Sequence, residues 1–159
     1  MGVYINPGNC GFAEICGPDY VDKTMLIKLV NQTIGTRDKL TCISRPRRFG
    51  KSYAAKMLVA YYDCSCDSHS LFDRKKISRT REYAKHLNRY NVIYLETTSF
   101  ISSARRQGIA LSEVPNRIVN ALHAELLQLH PELSAELSLT DLLIQCAQKP
   151  DGRPFVFII

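Results

Sequence analysis

The segment LTCISRPRRFGKS, Leu40–Ser52, constrains the fold more than any other part of the chain. It begins with a short apolar run, continues as an arginine-rich turn, and ends on Gly50-Lys51-Ser52 before an amphipathic stretch. We predict a strand at Leu40–Ser44, then a phosphate-binding turn, then a helix over Tyr53–Tyr62, which is the order that a P-loop requires. In such a turn, backbone N–H groups and the positive end of the helix surround phosphate oxygens.

The last residues of the turn have the chemistry that this site needs. Lys51 would reach the β- and γ-phosphates of a nucleotide, and the Ser52 hydroxyl would be a ligand of Mg²⁺. The full pattern, G-x-x-x-x-G-K-[ST], places its first glycine at position 45, where this chain has Arg45. A bare G-K-[ST] arises by chance in about one chain in ten of this length, so the flanking strand and helix carry the prediction. The alternative interpretation is a strand-to-helix turn with an exposed lysine.

Three apolar segments predict the fold class. They lie at residues 40–44, 91–98 and 154–159, and helical patterns separate them. This alternation predicts an α/β fold with right-handed crossovers and a largely parallel sheet. The segment NVIYLETT, at 91–98, is continuously apolar at Val92–Leu95, which is typical of a strand buried on both faces.

The remaining segments receive simpler predictions. Residues 1–19 are rich in Gly, Pro and Asn and predict an irregular lead-in. Asp22 is the predicted N-cap of a helix within residues 20–35, which ends at Gly35. Residues 99–111 are polar and predict a loop, whereas a helix is expected from Ser112. Ser138-x-x-Asp141 matches a capping box at the start of another helix.

Composition excludes some classes of protein and leaves others open. The chain has no run of 18 apolar residues and no visible signal peptide, so we expect a cytoplasmic protein without membrane contact. The net charge of +6 is concentrated in three basic clusters, of which only Arg45–Lys51 is interpreted as a binding site; the clusters at 74–81 and at 105–106 are interpreted as solvated faces. Cys64-x-Cys66 and His69 lack a fourth ligand, and we expect a reduced loop there rather than a zinc site.

Four sequence blocks, in order, resemble the AAA-ATPase-like family, whose members are relatives of P-loop ATPases. The blocks are YINPGN, YVDKT with the following LIKLVN, ISRPRRFGKS, and YYDCSCDSHSLF. The resemblance continues through NVIYLETT and RPFVFII, so it covers essentially the whole chain. The family itself carries Arg where the general pattern has its first glycine. The resemblance implies a P-loop NTPase-like fold of three layers, α/β/α, with a mainly parallel sheet.

The resemblance also implies a site for ATP and Mg²⁺. Gly50, Lys51 and Ser52 match the residues at the phosphates and the metal. The YVDKT block would border the base or ribose, although Asp22 as a mere helix cap and Tyr20 as a packing residue remain the alternative. The complete set of expected nucleotide-binding residues is Tyr20, Asp22, Lys23, Arg47, Arg48, Phe49, Gly50, Lys51, Ser52 and Tyr53.

In that family the last strand runs into an acidic Walker B segment, and many relatives continue into a nuclease-like domain of the PD-(D/E)XK type. Here the sequence ends at Ile159, before the position of the acidic Walker B residues. We therefore expect residues 1–159 to be the N-terminal part of a longer protein, truncated after the third core strand. The intact parent would be an ATPase, with nucleic acid as a partner of the nuclease-like domain, whereas this chain would bind nucleotide with little hydrolysis. The alternative is a non-catalytic module that binds polyanions, nucleic acid or a protein partner through the Arg45–Lys51 turn.

Overall fold

The computed structural model describes residues 2–44, 46 and 48–159. The predicted site residue Arg47, like Arg45, therefore lies outside the described residues. The chain divides into two compact units. One is continuous in sequence and spans Gly8–Tyr90, and the other combines residues 2–7 with Asn91–Ile159.

The unit Gly8–Tyr90 is helical. Its elements are α1 (Cys10–Ala13), α2 (Met25–Asn31), α3 (Lys51–Tyr62), α4 (His69–Phe72), a 3₁₀ helix (Lys76–Arg79) and α5 (Tyr83–His86).

The core of this unit forms around the C-terminal half of α3, where residues 57–62 are all buried. The Tyr62 hydroxyl donates to Asn31 Oδ1 at 2.7 Å, and the Tyr61 hydroxyl donates to the Tyr83 carbonyl at 2.8 Å. These bonds satisfy the phenols that burial removes from water. The first three residues of the same helix are exposed. The helix is thus held at its C-terminal end and presents its N-terminus to solvent.

The predicted strand at Leu40–Ser44 is wrong. These residues have no regular structure, and Leu40 is 92% exposed. The described part of the chain offers no strand that pairs with this segment, and a short apolar run without a partner would leave its backbone N–H and C=O groups unsatisfied if buried. The helix after the turn is present, and it begins at Lys51, two residues earlier than predicted.

The predicted helix within residues 20–35 is shorter than expected, since α2 covers only Met25–Asn31. Asp22 does not cap it in the usual sense. Its Oδ1 accepts hydrogen bonds from the Thr24 amide and hydroxyl, which holds residues 22–24 in a turn before the helix. The lead-in contains more regular structure than predicted, because Ile5 forms an antiparallel bridge with Ile93 and α1 forms one helical turn.

The second unit contains the parallel sheet. Strands β1 (Asn91–Tyr94) and β2 (Phe155–Ile158) pair in parallel, with Asn91 opposite Phe155. The chain between them forms α6 (Thr97–Arg106), a 3₁₀ helix (Leu111–Glu113), α7 (Val114–Leu129) and α8 (Leu139–Gln148). This arrangement confirms an α/β protein with a parallel sheet, in which a helical crossover joins the two strands.

Two predictions for this region have opposite outcomes. The loop predicted at 99–111 is wrong, because Thr97–Arg106 is helical and buries Phe100 and Ala104, four residues apart, on one face. The N-cap half of the capping box at Ser138 is confirmed, since its hydroxyl accepts a hydrogen bond from the Asp141 amide at 3.2 Å; the Asp141 carboxylate accepts from the same hydroxyl. Within the described residues, no helix is both long enough and apolar enough to cross a membrane.

Candidate functional site: a cleft at the N-terminus of helix α3

A cleft of about 470 Å³ lies beside the first two turns of α3, within the unit Gly8–Tyr90. It receives residues from three parts of this unit: the segment after α1, the turn before α3, and α3 itself. The lining residues are Glu14, Ile15, Gly17, Pro18, Asp19, Tyr20, Val21, Lys23, Arg48, Phe49, Gly50, Tyr53, Ala54 and Met57.

One face of α3 forms a wall of the cleft and gives it two chemically different ends. Gly50, Tyr53, Ala54 and Met57 are spaced as i, i+3, i+4 and i+7, so they share one side of the helix. Seven residues of helix extend about 10 Å. The end at Gly50 is therefore separated by roughly this distance from an apolar end at Met57, where Ile15 and Tyr20 also line the cleft.

The end at Gly50 is cationic. Gly50 has a left-handed backbone (φ 76°), and a Cβ placed there would lie 3.4 Å from Lys23 Nζ. The Lys23 ammonium is thus close to the helix N-terminus, which already carries partial positive charge. The first turn of α3 contains no acidic residue, and no side chain of the described residues caps it. Positive charge accumulates here, and an anion would relieve the repulsion.

The turn in front of α3 is itself strained. Arg48 has φ 67°, a left-handed conformation that is uncommon for a residue with a side chain. Such a conformation costs about 1–3 kcal/mol and is found most often at ligand-binding and active sites. Arg48 lines the cleft together with its neighbours Phe49 and Gly50.

Lys51 and Ser52 do not line the cleft. Both are exposed, and Lys51 Nζ donates a hydrogen bond to the carbonyl of Pro46 at 3.2 Å, so the side chain turns back over the loop. Of the ten predicted site residues, the structure thus brings six to one cleft, namely Tyr20, Lys23, Arg48, Phe49, Gly50 and Tyr53. Asp22 is also absent from the lining.

Tyr20 separates the cleft from the interior of the unit. Its ring contacts the edge of Phe12, with 5.4 Å between centroids, and its hydroxyl donates to Met57 Sδ at 3.4 Å. Burial raises the pKa of the Tyr20 phenol, so the hydroxyl remains protonated and keeps this bond over the ordinary pH range. The ring therefore presents a fixed aromatic surface at the apolar end.

Asp22 lies behind this surface and joins two segments far apart in sequence. In addition to its bonds with Thr24, its Oδ2 accepts a hydrogen bond from the Lys76 amide at 2.9 Å, and the Thr24 hydroxyl accepts one from the Ile77 amide. Burial raises the pKa of Asp22, but the hydrogen bonds from Thr24 and Lys76 and the nearby Lys75 ammonium outweigh it, and the net pKa is lowered. These contacts give Asp22 a structural role beside the cleft.

The lowered pKa of Asp22 predicts a pH-dependent contribution to stability. The carboxylate stabilises the folded unit above its ordinary pKa of 3.8, and this contribution is lost as the pH falls through the lower folded-state value. The difference in free energy of unfolding between wild type and Asp22→Asn should be constant above about pH 5 and shrink below the ordinary pKa. Urea denaturation at a series of pH values measures it. A difference that does not vary with pH would assign the effect to shape rather than charge.

Sequence reasoning missed several lining residues. Glu14 and Ile15 come from the predicted irregular lead-in, and only the turn residues Gly17 and Pro18 signal that the chain reverses there. Met57 could have been found, because it follows Gly50 at helical spacing. Among the described residues, no group of three His, Cys, Asp or Glu side chains could hold a metal ion. At the Cys64-x-Cys66 loop, His69 Nδ1 pairs with Asp73 at 3.2 Å, and the absence of zinc there remains a prediction.

Comparison with known proteins gives one match. A family model described as "Predicted AAA-ATPase" matches residues 11–159, which is nearly the whole chain. No curated protein and no solved structure matches it significantly.

Proposed function

Because the chain belongs to the AAA-ATPase-like family of predicted AAA-ATPases, we propose that it binds a nucleoside triphosphate, ATP, in the cleft beside α3. The phosphates occupy the cationic end at Gly50, and the base occupies the apolar end at Tyr20 and Met57. The P-loop NTPase-like fold and the phosphate-binding role of the Gly50-Lys51-Ser52 turn are parts of the same proposal.

The observation that carries the proposal is that two cationic residues, Lys23 and Arg48, line the cleft, and that Lys23 Nζ lies near the N-terminus of α3. The two residues come from segments 25 residues apart, and Lys23 Nζ lies 3.4 Å from the position that a Cβ would take on Gly50. Exposed N–H groups at a helix N-terminus bind phosphate directly. The distance of about 10 Å to the apolar end gives the charged and aromatic parts of a nucleotide separate surroundings.

Lys51 and Ser52 act from the rim of this site. Lys51 leaves the Pro46 carbonyl and contacts the β/γ-phosphates, which exchanges a neutral acceptor for an anionic one and forms a stronger, charge-assisted hydrogen bond. The Ser52 hydroxyl, one residue further along the first turn, is the protein ligand of Mg²⁺. The bound metal neutralises charge on the phosphate oxygens, and Mg²⁺ sites typically use few protein ligands together with substrate phosphates.

The alternative function is a polyanion-binding surface formed by the Arg45–Lys51 turn. It predicts binding to duplex DNA that weakens steeply with salt and shows no preference for ATP. The apolar end of the cleft favours a nucleotide over a polyanion, because a phosphate backbone would make no apolar contacts with Ile15, Tyr20 and Met57.

Lys23→Ala tests the proposal, with Lys28→Ala as the matched control. Lys28 is an exposed lysine on α2 and does not line the cleft. A hydrogen bond to a charged group contributes about 1.5–3 kcal/mol, so Lys23→Ala should weaken ATP·Mg²⁺ binding by about tenfold or more. Titration calorimetry measures the affinities, with a duplex DNA of about 20 base pairs as the competing ligand.

Equal ATP affinity in the Lys23→Ala and Lys28→Ala proteins would contradict the cleft as the phosphate site. Binding of DNA but not of ATP by the wild type would favour the polyanion alternative instead.

A further inference from the structure

The segment 75–77 lies behind the Tyr20 wall of the cleft and is fixed there by three contacts. Lys75 Nζ lies over the Tyr20 ring, 5.0 Å from its centroid. The Lys76 amide donates to Asp22, and the Ile77 amide donates to the Thr24 hydroxyl at 3.2 Å. Ile77 itself is fully buried. The backbone of this segment is therefore firmly docked against the residues that carry Tyr20.

Lys75 is linked to the cleft through the Tyr20 ring. Tyr20 lines the cleft, whereas Lys75 is not among the lining residues. The ring is held on its other sides by the edge of Phe12 and by the sulfur of Met57. Because a cation over an aromatic face is attracted to it, the ammonium of Lys75 is a third restraint on the ring, in addition to Phe12 and Met57.

Lys76 provides a natural comparison. It is the next residue in the chain and carries the same charge, but its side chain is exposed and its contribution to the docked segment comes from its backbone amide. From the sequence alone, these two lysines are equivalent members of one basic cluster. The structure distinguishes them.

We propose that Lys75 is a positioning residue for nucleobase recognition, which it achieves by holding the Tyr20 ring against the base. This inference rests on the proposed binding of a nucleotide in the cleft. The energetic effect is confined to the base end, since Lys75 contacts the Tyr20 ring and does not line the cleft at its cationic end. Loss of the ammonium allows the ring to move and reduces its packing on the base, while the cationic end around Gly50 is unchanged.

The test compares Lys75→Met with Lys76→Met, using two ligands. ATP·Mg²⁺ engages both ends of the cleft, and inorganic tripolyphosphate with Mg²⁺ engages only the cationic end. Methionine keeps the length of the lysine stem and removes the charge. A cation–π contact of ordinary strength corresponds to an affinity change of about threefold to tenfold, so Lys75→Met should weaken ATP by this factor and alter tripolyphosphate affinity by less than about twofold. Lys75→Arg, which keeps a cation over the ring, should restore ATP affinity.

Lys76→Met controls for the loss of one positive charge and should change the two affinities by the same small factor. Equal weakening of ATP and tripolyphosphate by Lys75→Met would mean that Lys75 acts through long-range charge, and would overturn its positioning role alone. An unchanged ATP affinity in Lys75→Met would do the same.

If wild type binds tripolyphosphate as tightly as ATP, the base is not in the cleft, and the positioning role of Lys75 is contradicted. If wild type binds neither ligand, the proposed function fails as well. Thermal unfolding of each variant verifies that the unit is folded.

Discussion

Lys51→Ala is expected to reduce ATP·Mg²⁺ affinity by about 100-fold or more, because it removes the one cation whose position in the turn corresponds to the β/γ-phosphates. Such a loss corresponds to about 3 kcal/mol of binding free energy, at the upper end of what a charged hydrogen bond contributes. Lys51 is exposed, and its Nζ donates a hydrogen bond to the Pro46 carbonyl at the surface of the loop. The free energy of unfolding should therefore change by no more than about 0.5–1 kcal/mol.

Titration calorimetry on wild type and variant measures the binding loss, and urea denaturation of both proteins verifies the fold. Lys56→Ala is the matched control, since Lys56 lies on the same helix, outside the cleft lining. Equal ATP affinity in wild type and Lys51→Ala would contradict the assignment of the Gly50-Lys51-Ser52 turn as the phosphate-binding loop.

Glu125→Ala should produce the largest loss of stability. Glu125 is only 9% exposed, and its carboxylate accepts hydrogen bonds from the amides of Tyr4 and Ile5 at 3.0–3.1 Å. Alanine leaves both amides without an acceptor, and each buried unsatisfied group costs about 1–3 kcal/mol. We expect a decrease of about 2–5 kcal/mol in the free energy of unfolding, a large part of the 5–15 kcal/mol that is typical of a domain.

The matched control is Gln128→Ala, one turn further along α7 on an exposed position. Its effect should stay within about 0.5 kcal/mol, as for surface substitutions in general. Urea denaturation measures both variants, and similar unfolding midpoints for the two would show that the carboxylate does not hold the first residues of the chain. In that outcome the bridge between Ile5 and Ile93 and the ring contact between Tyr4 and Phe100 would hold this segment instead.

The parts of the fold that could be predicted are those in which local pattern and tertiary environment agree. The apolar runs at 92–95 and 155–159 contribute parallel strands. In β1 the adjacent residues Val92 and Ile93 are both fully buried, as expected for a strand covered on both faces, whereas Phe157 of β2 is exposed. Leu40–Ser44 has a similar run but no partner among the described residues, and pairing is not encoded in the segment itself. Helix α6 was missed because only Phe100 and Ala104 of its ten residues are buried.

The candidate site divides in the same way. Residue types and the family resemblance predicted the turn at Gly50 and the block at Tyr20–Thr24 as site segments. In the structure, residues of both segments line one cleft. Lys75 could not be found, because its role depends on a hydrogen bond between Asp22 and Lys76, 54 residues apart. Asp22 was predicted to bind nucleotide, but it does not line the cleft, and its carboxylate accepts the hydrogen bond from the Lys76 amide instead.

The interrupted sequence of the second unit affects the order in which the chain can fold. Residues 2–7 leave the ribosome before both units are complete, but their partners β1 and Glu125 are synthesised about 85 to 120 residues later. Gly8–Tyr90 is continuous and can fold while the first residues are still waiting for their partners, since domains generally fold as units during synthesis. Closing such a long loop is slow. Removing residues 2–5 should therefore leave the refolding rate of the unit Gly8–Tyr90 nearly unchanged, although this unit follows the deleted residues directly in sequence. The same deletion should destabilise the unit that contains the sheet.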